Sequence, residues 1–426
     1  MKEYTACIPR NIDIDKILLE HPPKENLKRD KLLYIIHLLR AIPMHNRANW
    51  LNNEWVLINA TTLKTVINDY KKYINYLKDD VKLIECDEVA VQGSKSKGYK
   101  FRSNNHILIE LKLVNLTDKT LMKGLERNFN KDHYGSAYVK KNLPYLHKWF
   151  NDKLKLDIPK STLLDYRSFN ASKSINNGTY RLSIDKFGKR IHTPLTRLKK
   201  ELRQFLTYDN QRLIEVDIKC SQPYLSLKLI LDSLSKKEPT IIKSFNEATS
   251  NKDKLDIIKN LDGYNGLYKY MSDILIDDLY LAIKDNFETK FGYQIGNGER
   301  GHYKEAMFND MYSRNGYRPK TKILFKEIYG YPSKVYHDLK TVDHKELSKR
   351  LQRLESSLIL RNICKEINRY DKNIPLFTIH DSILTTPEHI DIVKQFTMDE
   401  LSREIGLMPR VTVDDFKSSQ TMLEQP

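Results

Sequence analysis

The chain has 426 residues, 40% of them hydrophobic and 30% charged, with 72 Lys and Arg against 55 Asp and Glu for a formal net charge of +17. That length supports two to four domains with their own cores, and no apolar run reaches the roughly 18–20 residues of a membrane span. The opening Met1-Lys-Glu-Tyr-Thr-Ala-Cys7 lacks a signal-peptide apolar stretch, and Cys7, Cys86, Cys220 and Cys364 are too scattered for a zinc site or a disulfide framework. The expectation is a cytoplasmic protein with reduced thiols. Its positive balance suits a polyanionic partner, and its 25 Tyr, several beside Lys or Arg, suit base stacking.

Residues 1–105 read as a small α+β domain. The spacing predicts an amphipathic helix over Lys28–Ile42, then a second helix after Thr61-Thr62 carrying Leu63, Val66, Ile67, Tyr70, Tyr73, Ile74 and Leu77. Two strand-like runs, Val81–Cys86 and Tyr99–Arg102, flank the basic turn Gly93–Gly98. Helices followed by a basic-tipped hairpin outline a winged helix, an accessory contact to DNA or RNA. Residues 106–165 read as mostly helical and basic, with Lys140-Lys141, Tyr145 and Trp149.

From Ser174 the pattern changes. Turns at Asn176–Gly178 and Asp185–Gly188 separate strands Thr179–Ser183 and Arg190–Thr193, and a helix Leu195–Phe205 follows, with Leu195, Leu198, Leu202 and Phe205 inward. Arg181, Arg190 and His192 on the hairpin, with Arg203 on the helix, suit a duplex backbone, although a solvated surface helix has the same pattern.

The stretch Arg212–Ser226 reads as a strand, Leu213–Asp217, ending on a carboxylate, then a helix from Ser221 with Pro223 in its first turn. A carboxylate at that junction is exposed at the strand's carboxyl end. Residues 236–295 form a Lys-rich helical insertion. In Glu299–Tyr312, Arg300, Lys304, Phe308 and Tyr312 recur every fourth residue, which on a helix makes one row of two cations and two aromatics. Such a row can hold a triphosphate and cover a base, or simply snorkel into solvent.

A long helix, Asp343–Ile367, carries Gln352 and Glu355 within an apolar pattern. Next, the apolar runs of Pro375–Thr386 flank His380-Asp381, as in a hairpin with an acid at the bend, 164 positions after Asp217. A helix Pro387–Ile405 and a strand Pro409–Val413 close an α+β unit built on an antiparallel sheet, with both acids on one edge. Two such carboxylates can hold a pair of Mg²⁺ ions roughly 3.5–4 Å apart.

These residues resemble the polymerase module shared by family A DNA polymerases and single-subunit phage-type RNA polymerases. Asp217 with Ser221-Gln222 is similar to motif A, the row Arg300, Lys304, Phe308, Tyr312 to motif B, and His380-Asp381-Ser382 to motif C. The resemblance covers roughly residues 175–426, including Arg190–Pro194 and Gln352. It implies a right-hand α+β fold: a palm over 176–235 and 341–426, helical fingers over 236–340 and a thumb-like helical region over 106–175, with the winged-helix-like 1–105 added.

It further implies that Asp217 and Asp381 bind two Mg²⁺ ions, with Mn²⁺ as an alternative. Arg300 and Lys304 would hold the nucleotide phosphates, Lys304 also protonating pyrophosphate, while Phe308 and Tyr312 pack on the incoming nucleotide. Gln222 would probe the sugar 2′-position, and Arg181, Arg190, His192, Arg203, Gln352 and His380 would contact nucleic acid. The partners are a DNA primer–template, RNA being an alternative, and nucleoside triphosphates, with the protein a monomer.

Gln222 and Phe308 are in keeping with a DNA polymerase, whereas Ser382 after His380-Asp381 is the form of the RNA polymerases, and Ser313 stands where Gly commonly follows the motif B tyrosine. With no D-x-E exonuclease start and only 174 residues before the module, proofreading is not expected. The compactness suits a small replicon, phage or mobile element. The alternatives are an RNA polymerase or primase, template-independent nucleotide addition, and a non-catalytic nucleic-acid-binding replication protein.

Overall fold

The structure is a computed structural model that describes residues 4–45, 55–89, 96–102, 111–159 and 166–416. Its contacts fall into two compact units, residues 1–133 with 161–170, and residues 134–160 with 171–426. Among the described residues no helix is long and apolar enough to cross a membrane, and the four cysteines are free thiols.

In the first unit β1 (Tyr4–Pro9), α1 (Ile14–Glu20), α2 (Arg29–His45), β2 (Val56–Leu57), α3 (Ala60–Val66), α4 (Tyr70–Asn75), β3 (Ile84–Cys86), β4 (Gly98–Phe101), β5 (Leu111–Leu116) and α5 (Lys119–Asp132) follow one another. The helix expected at Lys28–Ile42 is α2, with Leu32, Leu33, Ile35, Ile36 and Leu39 buried. The second expected helix is two. Asn59 caps α3, the chain turns extended at Ile67, and α4 restarts after Asp69 and runs on as a wide π-type turn to Asp80.

Strands β3 and β4 pair antiparallel as expected, and β2 joins them in the order β2-β4-β3. Residues 93–95 of the basic turn between them lie outside the described residues, and Lys97 pairs with Glu88. The mostly helical reading of 106–165 needs correction, because β5 pairs along its full length with β1, from Tyr4↔Leu116 to Pro9↔Leu111. A partner more than a hundred residues away leaves no local signal.

Helices α5 and α3 approach so closely that a Cβ at Gly124 would lie 2.0 Å from the Val66 carbonyl oxygen. Alanine normally favours a helix interior over glycine by about 1 kcal/mol, but here the backbones would have to separate. Gly124→Ala is expected to destabilise the unit by about 1–3 kcal/mol. Urea unfolding checks this, and a neutral or stabilising result would refute the close crossing.

The chain passes between the units at β6 (His133–Tyr134) and within α8 (Tyr166–Asn176), which bracket α6 (Ser136–Asn142), α7 (Pro144–His147) and β7 (Leu154–Leu156). There follow β8 (Ser183–Asp185), β9 (Ile191–His192), β10 (Leu206–Tyr208), β11 (Gln211–Arg212), β12 (Ile214–Ile218) and α9 (Ser221–Ser235). The expected helix Leu195–Phe205 is two 3-10 turns broken by an extended Leu198. Leu195, Leu198 and Leu202 are buried as expected, which a broken segment achieves as well as a helix. The expected strand Thr179–Ser183 begins only at Ser183. Just before it, Leu182 is held through both its amide and its carbonyl by the Ser136 hydroxyl instead of by a strand.

Helices α10 (Pro239–Glu247), α11 (Asn251–Lys259), α12 (Leu267–Leu275), α13 (Leu279–Phe291), α14 (Arg300–Tyr312), α15 (Lys320–Ile328) and α16 (Gly330–Leu339) follow. Then come α17 (Glu346–Ser356), a π-type stretch Ser357–Ile363 leading into α18 (Cys364–Tyr370), the hairpin of β13 (Phe377–Ile379) and β14 (Ser382–Thr385), α19 (Ile390–Ile405) and β15 (Val411–Asp414).

Strands β13-β14-β12-β15 form one antiparallel sheet with β12 inside it. Helix α19 packs on this sheet, and the buried Val216 and Ile218 belong to one face of β12. Strand alternation then sets Glu215 and Asp217 on the opposite face.

Candidate active site

Two acids come together at one edge of this sheet. Asp217 pairs in register with Ser382, and Asp381 is the residue before it, in the two-residue turn joining β13 to β14. The turn is tight because His380 adopts a positive φ of 56°. Three residues past Asp217, Cys220 is left-handed too, with φ 51°, where β12 breaks sharply into α9. Non-glycine residues seldom occupy this region, and when they do the surrounding structure must hold them there. Here His380 sets the turn that carries Asp381, and Cys220 sets the start of α9, which carries Gln222.

Burial, then the Asp381 carboxylate, then Glu215, push the Asp217 carboxyl up to about 6, against the pull of Lys219 and Lys200. Among the described residues Lys219 alone makes an ion pair with Asp217, at 4.0 Å. Two carboxylates this close with so little compensating charge fit a divalent cation. No group of three or more His, Cys, Asp or Glu side chains suited to a metal occurs among the described residues, so any ion held here would take further ligands from a phosphate or water.

A folded-state value above the ordinary carboxylate value of about 3.9 means that ionising Asp217 opposes folding. That stability is present below about pH 4 and lost as the pH rises through 6. The side chain is 36% exposed, so solvent screening reduces the effect to about 1 kcal/mol. In chelator, Asp217→Asn is therefore expected to melt above the parent at pH 7.5 and level with it below pH 4. Equal melting at both pH values would mean that the repulsion is absent.

Helix α14 carries Arg300, Lys304, Phe308 and Tyr312 in one row, flanked by the buried face of Tyr303, Met307, Asp310 and Met311. The Phe308 and Tyr312 rings stack with centroids 6.0 Å apart and planes within 1°. Lys304 is exposed, its ammonium 5.8 Å from the Tyr280 ring and 5.9 Å from the Phe308 ring. Arg300 donates to Asp278 at 2.8 Å and lies 4.6 Å over Tyr280. Asp278 stays below the usual carboxylate range despite its burial, because Arg300 bonds it. The buried Lys340 donates to the carbonyls of Met311 and Ser313 at 2.9 and 3.1 Å, fixing the last turn of α14.

A buried polar chain ties this helix to α9 and α17. Tyr312 donates to the Gln222 Oε1 at 2.8 Å, and the Gln222 amide donates to Glu355. Arg190 grips Glu355 with two bonds of 2.8 and 3.0 Å. Glu355 is 2% exposed, and burial raises its carboxyl to about 7 against the pull of Arg190, with Asp381 adding to the rise. The bond geometry from α17 continues to the β8–β9 turn: Ser356 donates to the Gly188 carbonyl, and Gln352 lies against Gly188.

The structure thus gathers Asp217, Asp381, Gln222, Tyr312, Arg190 and His380 around one edge of the sheet, with Arg300, Lys304 and Phe308 along α14. The His192 ring lies 6.4 Å from that of His380 and 3.4 Å from Asp185. Two cations read as duplex contacts are engaged internally. Arg190 holds Glu355, and Arg203 holds the buried Glu215 at 3.0 and 3.1 Å. Arg181 is half-buried just ahead of β8. Sequence reasoning passed over Asp278, Tyr280, Asp185 and Glu215. An acid two residues before Asp217 on the same strand face was the one available signal, and it pointed to Glu215.

No protein-family model matches the chain, and no curated protein does. Among solved structures it is similar to one titled "POL domain of Pol1 from M. smegmatis complex with DNA primer-template and dNTP", with 9% identity and a TM-score of 0.34 over 95% of this chain and 78% of that one. A score this low carries no argument for the fold or the chemistry.

Proposed function

We propose that the chain is a template-directed nucleotidyltransferase, a compact DNA polymerase that joins a dNTP to a primer 3′-hydroxyl. The observation that carries this reading is the Asp217–Asp381 edge joined to the cation–aromatic helix α14 through Tyr312 and Gln222. The β12–β15 sheet serves as palm and α10–α16 as fingers.

In this reading Asp217 and Asp381 would hold two Mg²⁺ ions, which when bound would supply charge neutralisation for phosphoryl transfer. The remaining work falls to the chain. Lys304 extends from α14 to the triphosphate and protonates the departing pyrophosphate. Arg300, prepositioned by Asp278 and Tyr280, adds a second cation. The Phe308 and Tyr312 faces stack on the incoming base and sugar, and Gln222, held at both ends of its amide, crowds the 2′-position. Charge placed in advance stabilises the transition state without reorganisation at the moment of reaction.

Extension of a labelled primer on a DNA template, with dNTPs and NTPs compared in Mg²⁺, tests this. Template-directed growth with dNTPs is expected. Growth from NTPs without primer would replace it with the RNA polymerase or primase reading, which Ser382 favours. Tight DNA binding with no incorporation from either set would leave a replication protein that does not catalyse.

A further inference from the structure

The first compact unit contains none of the residues of the site above, yet it has a recognisable organisation of its own. Helix α2 is followed by β2, α3, α4 with its π-type extension, and the β3–β4 pair, in a sheet of order β2-β4-β3. Helices α3 and α4 are joined by Ile67-Asn68-Asp69, and their inner faces are buried through Leu63, Val66, Ile67, Tyr73, Ile74 and Leu77. Two short helices with a three-residue turn, backed by a small antiparallel sheet, are the scaffold on which a second helix is offered to a nucleic-acid groove.

The surface around the α3–α4 turn is cationic, with the exposed acids Asp79 and Asp80 at the far end of the α4 extension. An open groove of about 780 Å³ between α3 and α4 is lined by Thr61, Lys64, Asn68, Tyr70, Lys71 and Lys72, together with Ala60 and Asp69. Its one acid, Asp69, is neutralised by Lys31 at 3.2 Å and Lys72 at 2.8 Å. Helix α5 extends the same charge. Lys119, Lys123, Arg127 and Lys131 recur every fourth residue and all are exposed, and Lys131 donates to Thr65 of α3 at 3.0 Å, next to the groove-lining Lys64. Glu126 borders this row, about 60° around the helix from Lys123, while Asp132 lies about 100° beyond Lys131, so the row carries four cations against one flanking acid.

We propose that this unit binds duplex DNA, with the exposed side of α4 in the major groove and the α5 row on the flanking phosphates. The lining decides the class of partner. Threonine, asparagine and lysine suit phosphates and base edges, whereas single strands are held by successive exposed aromatic platforms; the groove has one aromatic, the half-buried Tyr70, and Tyr73, Tyr76 and Tyr99 of this unit are buried. Duplex RNA has a major groove too narrow to admit a helix. The surface acts independently of nucleotide transfer.

The test uses the full chain and a fluorescent DNA dumbbell of about 20 base pairs, two helical turns, closed at both ends so that no primer terminus is available. Anisotropy is read in chelator without nucleotides. The variant K119E/K123E/R127E is expected to bind at least tenfold more weakly near 0.1 M salt, and to lower the slope of log K against log salt by about 2–3. K64A/K71A is expected to weaken binding several-fold. K236E/K252E/K259E, with the same charge change on exposed lysines of the second unit, should stay within about threefold of the parent. Binding by both first-unit variants equal to that of K236E/K252E/K259E would overturn the proposal, as would equal affinity for a duplex RNA dumbbell or for single-stranded DNA.

Discussion

Asp217→Ala and Asp381→Ala are each expected to slow dNTP incorporation by about a thousandfold or more, equivalent to roughly 4 kcal/mol of transition-state stabilisation, while leaving duplex binding within about twofold. The loss is large because neither acid has a substitute. Glu215, the neighbouring acid on the same face of β12, is committed to Arg203, and Glu355 to Arg190 and Gln222. Single-turnover incorporation at saturating primer–template separates the chemical defect from any binding defect. Near-parental rates in either variant would remove the two-carboxylate reading of this edge, and with it the enzyme.

Glu355 is expected to have the largest effect on stability. It is buried, gripped by two bonds from Arg190, and holds the Gln222 amide that in turn accepts from Tyr312. Removing one partner of a buried ion pair leaves the other charge desolvated, at a cost of about 3–5 kcal/mol. Glu355→Ala should therefore lower the urea midpoint of the second unit strongly, and should raise the KM for dNTP in the surviving fraction, because the Gln222 amide loses its acceptor and no longer holds Tyr312 in one position. Glu355→Gln keeps the shape and an acceptor for Arg190, so its loss should be smaller. Because a network of this kind is coupled, Gln222→Ala and Tyr312→Phe in the Glu355→Ala background should add less than they do alone. A Glu355→Ala protein as stable as the parent would mean that the chain of bonds does not organise the site.

Several positions of the candidate site were legible from residue order alone. The run Leu213–Asp217 alternates as a strand and ends on an acid, and His380-Asp381 sits between two apolar arms, so both acids could be placed at strand ends before any coordinates. The row Arg300, Lys304, Phe308, Tyr312 could be set on one side of a helix because four-residue spacing is a local property of the helix. Burial of Leu195, Leu198 and Leu202 was legible, but the helix expected there was not formed, since two 3-10 turns bury the same leucines.

Long-range pairing was not legible. Strand β1 finds β5 across more than a hundred residues, and Arg190 finds Glu355 across 165. Arg190 and Arg203, read as cations for a duplex backbone, are engaged with buried acids instead. By itself the sequence determined which residue types stand at which ends of which elements, because hydrophobic period and turn chemistry act over a few residues. Only the tertiary structure decided which cation compensates which carboxylate, and so left the Asp217–Asp381 edge with little compensating charge, because an ion pair depends on which surfaces the whole chain brings within reach.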